Sequence, residues 1–66
     1  MIIFLNGETK EVPDTCSLSE LVKSLNLREE RLAVELNREV VRRKDWPQTN
    51  LRDGDKLEIV HFVGGG

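Results

Sequence analysis

Residues 17–26 carry the strongest constraint on the fold. Ser17-Leu18-Ser19-Glu20 has the spacing at which a serine hydroxyl caps an orphan helical amide while a glutamate three residues on reaches back. Leu18, Leu21, Val22 and Leu25 follow at helical spacing and would form one apolar stripe, with Asn26 placed to end the helix. Two to three turns of helix do not persist alone in water, so this stripe must lie across something else. The flanking segments have strand character, and that something is therefore a sheet.

Ile2, Ile3, Phe4 and Leu5 form a β-rich run that stops at Asn6-Gly7, a dipeptide suited to the positive φ angles of a two-residue hairpin turn. The return strand is expected over residues 8–12 and ends at Pro13, which has no amide hydrogen for a sheet ladder. After the helix, Leu32, Val34 and Leu36 alternate with Ala33 and Glu35, the period of a half-buried strand. Asn37-Arg38-Glu39 reads as a turn into Val40-Val41, and Trp46-Pro47 as part of a polar connection. Asp53-Gly54-Asp55 makes a sharp turn into a last strand over residues 56–62. The order ββαβββ, with one main helix packed across a mixed β-sheet, is the α+β β-grasp arrangement. Periodicity predicts these elements but not how the strands pair.

Size and charge narrow the function classes. A chain of 66 residues with 38% apolar side chains can bury one modest core, so residues 1–63 are expected to form a single domain and residues 64–66 a flexible glycine tail. Ten basic and twelve acidic side chains give a net charge of −2 spread along the chain, which favours neither nucleic acid nor a membrane as a partner. The longest apolar run, residues 1–5, falls far short of the ~20 residues a membrane helix needs. With no leader pattern and Cys16 as the sole cysteine, a reducing, cytoplasmic setting is expected.

Most candidates for chemistry reduce to structural roles. Cys16 lies near a helix N-terminus, where a thiolate could gain from the dipole, but an ordinary small residue is the simpler reading. His61, the sole histidine, alternates with Leu57 and Ile59 and is expected to be partly buried on the inner face, with no acid or nucleophile to form a catalytic set. Arg42, Arg43 and Lys44 are too few for a phosphate-tracking surface and read as a solvated loop. Asp53 and Asp55 flank a glycine, and the turn accounts for them without a metal.

The end of the chain is different. Gly64-Gly65-Gly66 has no side chain to pack and much backbone entropy to lose, so it adds nothing to stability. Without Cβ atoms such a segment can thread a narrow channel and present an α-carboxylate, ionised at neutral pH and inert until activated. On the strand before it, Val60 and Phe62 share the solvent-facing side with Lys56 and Glu58, and two exposed apolar groups beside a working terminus suggest a docking patch.

Asn6-Gly7, Leu18, Leu21, Asn37, Val41, Arg43, Trp46, Asp53-Gly54-Asp55, Glu58-Ile59-Val60, Phe62, Val63 and the closing glycines, in this order and spacing, resemble the ThiS family. These are sulfur carriers of thiamine thiazole biosynthesis within the ubiquitin-like superfamily, and the resemblance covers nearly the whole chain. It implies that the chain is no enzyme: a ThiF-type adenylating enzyme uses ATP to convert the Gly66 carboxylate to an acyl-adenylate, which becomes a thiocarboxylate. Gly64 and Gly65 would thread into partner active sites, and thiazole synthase of the ThiG type would receive the sulfur. The sulfur would come from cysteine through a desulfurase. ATP and magnesium would belong to the activating partner, with no cofactor bound to the carrier, which would be a monomer when free. Two other readings remain open. One is the small subunit of molybdopterin synthase, with the same fold and ending; the other is a ubiquitin-like modifier or interaction module.

Overall fold

The computed structural model describes residues 1–61. Two antiparallel strands, β1 (Ile2–Leu5) and β2 (Glu8–Glu11), open the fold and lead to the helix α1 (Leu18–Ser24). A 3-10 turn (Glu29–Arg31), strands β3 (Leu32–Leu36) and β4 (Glu39–Val41), a second 3-10 helix (Arg43–Gln48) and strand β5 (Lys56–His61) complete it. The sheet order is β2-β1-β5-β3-β4. Strand β5 lies in the centre, parallel to β1 and antiparallel to β3. The mixed sheet with one main helix is the β-grasp arrangement expected from the sequence.

Local chemistry explains each boundary that matters. Asn6 and Gly7 both adopt positive φ, 50° and 84°, as a two-residue hairpin turn requires. At the start of α1, Ser17 Oγ accepts from the Glu20 amide at 3.1 Å while a Glu20 carboxylate oxygen accepts from the Ser17 amide at 2.9 Å. This reciprocal cap satisfies two of the donors a helix start leaves orphaned. The helix stops at Ser24, and Asn26 at φ 56° carries the chain away through the left-handed region that asparagine tolerates.

Leu18, Leu21 and Val22 are almost wholly buried in one cluster with Ile3, Val34, Leu57 and Trp46. Each contributes roughly 1.5–3 kcal/mol relative to exposure, which is what keeps a helix of seven residues folded.

Two expectations need correction. Trp46 is not part of a polar connection: it is the largest fully buried side chain, 1% exposed, and its indole N–H donates to the Val41 carbonyl at 2.9 Å. The 3-10 helix rolls the ring inward while Arg43, Lys44 and Asp45 stay exposed, so the residues around it read as polar. His61 is exposed rather than partly buried. Strand β1 accompanies β5 only as far as Leu57, so at His61 β5 has the β3 partner Leu32 but has passed the end of β1.

Candidate functional site

The site predicted from the sequence lies where β5 leads into residues 62–66. Phe62, Gly64, Gly65 and Gly66 fall outside the described residues, so their expected roles as docking, threading and modified groups rest on sequence. What the structure supplies is β5 as far as His61 and the sheet face that it carries.

Residues Lys56, Glu58 and Val60 of β5 face away from the helix and are exposed, whereas Leu57 is buried and Ile59 half-buried. Val60 stands 53% exposed, opposite Ala33 of β3. One step along, Glu58 is opposite Glu35, and Glu35 is opposite Val40 of β4, itself 73% exposed. On the β5, β3 and β4 part of the open face, the exposed Val60 and Val40 therefore flank a directly paired Glu35 and Glu58. Like charges placed opposite each other on one sheet face oppose folding, so this pair does not serve stability. A cationic, partly apolar partner surface would complement it.

The strand that carries this face is held at both ends by asparagines in left-handed turns. At its start, Asn37 (φ 51°) accepts from the Lys56 amide at 3.0 Å through its side-chain oxygen and donates through its side-chain nitrogen to Asp55 at 3.1 Å. Further along, the Asn6 carboxamide accepts from the Ile59 amide and donates to the Ile59 carbonyl. The sequence identifies both asparagines as turn residues. Their second role depends on which strand lies beside the turn, and no local pattern signals that.

Asp53 and Asp55 are turn residues, as expected, and they also anchor neighbouring backbone. Asp53 accepts from the Ile2 amide at 2.8 Å and Asp55 from the Arg52 amide at 2.7 Å, while Gly54 takes φ 87° between them. Among the described residues no group of three or more acidic, histidine or cysteine side chains is placed to hold a metal.

Cys16 is a buried free thiol, its pKa raised first by desolvation and then by the Glu20 charge. Burial and the Glu20 charge both disfavour a thiolate at this position. The thiol lines a cavity of about 320 Å³ with Val12, Leu21 and neighbours of β2 and α1. The Val12 amide bonds the Met1 carbonyl at the start of β1, and β1 is parallel to β5, so this cavity lies at the opposite end of the sheet from His61.

Comparison with known proteins decides the family. Residues 3–66 match the ThiS family. The chain belongs to that family. It is 40% identical over 63 residues to the sulfur carrier protein ThiS of Bacillus subtilis, a match covering 94% of this chain and 96% of that protein. It is also 38% identical over 66 residues to a thiazole synthase of Paramagnetospirillum magneticum, where the whole chain corresponds to 20% of the larger protein's length. The fold superposes on the crystal structure of the thiamine biosynthesis protein ThiS from Geobacter metallireducens with a TM-score of 0.86 at 35% identity, covering 100% of both chains.

Proposed function

We propose that this chain is the sulfur carrier for the thiazole of thiamine and that its working group is the carboxylate of Gly66. The observation that supports this most is the extent of the ThiS match, which runs from β1 through the closing glycines. The platform fits the role, because the central strand carries the exposed Val60 two positions before Phe62 in the sequence.

A carboxylate is a poor acyl donor, since oxide cannot leave. Attack of a carboxylate oxygen on the α-phosphorus of ATP releases pyrophosphate and leaves an acyl-adenylate, from which AMP departs readily when a sulfur nucleophile attacks. A ThiF-type enzyme would supply the ATP and magnesium site, and a cysteine desulfurase the sulfur as a persulfide, whose attack expels AMP and leaves an acyl disulfide that a thiol reductant cleaves to the thiocarboxylate. Thiazole synthase would take sulfur from the resulting thiocarboxylate, a better nucleophile than the carboxylate. In this cycle the chain is a substrate and carrier and catalyses no step. The exposed Val60 and Val40, with the Glu35–Glu58 pair between them, form the surface that docks to these enzymes, joined by Phe62.

The test is adenylation in vitro. Incubation with a ThiF-type enzyme, magnesium and ATP should yield an acyl-adenylate on the chain, and removal of Gly66 should abolish it. Failure of the intact chain to be activated would reject the reading.

A further inference from the structure

Strand β5 outlasts its neighbour. β1 pairs with it at Phe4–Lys56 and Leu5–Leu57, and the chain then turns away at Asn6. Successive residues of a strand direct their N–H and C=O groups to alternate sides. The Asn6 amide donates to the Leu57 carbonyl at 2.8 Å, so Leu57 faces the β1 side, and Ile59 is the next residue to do so. Ile59 thus directs its backbone toward space that β1 has vacated. The Asn6 side chain occupies that space: its Oδ1 accepts from the Ile59 amide at 2.8 Å and its Nδ2 donates to the Ile59 carbonyl at 3.3 Å. One carboxamide provides the acceptor and donor that two further residues of a longer β1 would have provided, prolonging the parallel ladder past the end of β1.

We propose that Asn6 is a positioning residue for the carrier reaction: its carboxamide locks β5 through Ile59 and so fixes the point from which residues 62–66 reach the activating enzyme. This rests on the carrier role proposed above. Asn6 touches no reacting atom. It acts through Ile59, three residues before Phe62, by removing a fraying motion that would otherwise have to be frozen out when the carboxylate meets ATP. Only a short polar side chain that tolerates positive φ can both turn the hairpin and reach back to the strand.

Asn6→Gly separates these two tasks, because glycine keeps the left-handed turn and deletes only the carboxamide. Asn6→Asp keeps the acceptor for the Ile59 amide and loses the donor. In steady-state adenylation by a ThiF-type enzyme, Asn6→Gly should lower kcat about tenfold, equivalent to about 1.4 kcal/mol, with KM for the carrier within about twofold of wild type. Asn6→Asp should fall between the two, about threefold down, and serves if the glycine variant folds poorly. Wild-type kcat in both variants would overturn the proposal, whatever their melting temperatures. Amide exchange of the free protein reads the clamp without the enzyme: Ile59 should exchange about tenfold faster in Asn6→Gly, at a rate unchanged for Val34. Unaltered Ile59 exchange would equally overturn it. A wild-type chain that is never adenylated, with Ile59 exchange accelerated as expected, would place the failure in the carrier reading.

Discussion

Replacing Trp46 by alanine should bring this domain to the edge of unfolding. The side chain is 1% exposed, lies in the cluster with Leu18, Leu21, Leu51 and Leu57, and donates its indole N–H to the Val41 carbonyl at 2.9 Å. Truncation of a buried tryptophan costs about 3–5 kcal/mol through lost contacts and the cavity left behind. Domain stabilities run at roughly 0.05–0.15 kcal/mol per residue, or about 3–10 kcal/mol for 66 residues, so the loss is a large share of the total. Urea unfolding followed by far-ultraviolet circular dichroism, which does not depend on the indole, measures it. With a slope near 1 kcal/mol per molar urea, as suits a small domain, the midpoint of Trp46→Ala should fall by about 3 M or more. Trp46→Phe keeps much of the apolar volume but leaves the Val41 carbonyl without its donor, and should lose about 1–3 kcal/mol. A midpoint for Trp46→Ala within about 1 M of wild type would refute the placement of this ring in the core.

Three further outcomes follow from the geometry. The Glu20 carboxylate has its pKa lowered, chiefly by hydrogen bonding to Ser17, so the cap contributes fully above the ordinary glutamate range and is lost as pH falls through the depressed native value. Melting of wild type against Glu20→Gln should therefore show a gap that narrows on acidification, and a gap independent of pH would contradict the charged cap. Cys16, buried with its thiol pKa raised, should react with iodoacetamide at mildly alkaline pH far more slowly in the native protein than in urea, and equal rates would show that it is accessible. Val60→Asp, on the exposed face, should leave the melting temperature nearly unchanged while raising KM for the activating enzyme about tenfold, and an unchanged KM would remove Val60 from the docking surface.

The elements were legible in the sequence because their signals are local. The Asn6-Gly7 turn, the Ser17–Glu20 cap and the alternation through Leu32, Val34 and Leu36 each depend on residues a few positions apart, and each is found where expected. Trp46 was not legible, since a ring among arginine, lysine and aspartate looks solvated until a 3-10 helix turns it under α1. The exposure of His61 depends on where another strand stops, and the reach of Asn6 and Asn37 to β5 depends on partners 53 and 19 residues away. Such contacts have no local signature. In the candidate site, the outward face of Val60 and Glu58 follows from alternation, but the facing of Glu58 by Glu35 follows only from the register of β3 on β5.

The central claim concerns Gly66, and the most direct measurement is the intact mass of the protein isolated from cells making thiamine, with fragmentation to locate any change. Replacement of one terminal oxygen of Gly66 by sulfur is the predicted result. A chain whose Gly66 carboxylate stays unmodified in such cells, and stays so after incubation with ATP, a ThiF-type enzyme and a sulfur source, would contradict it.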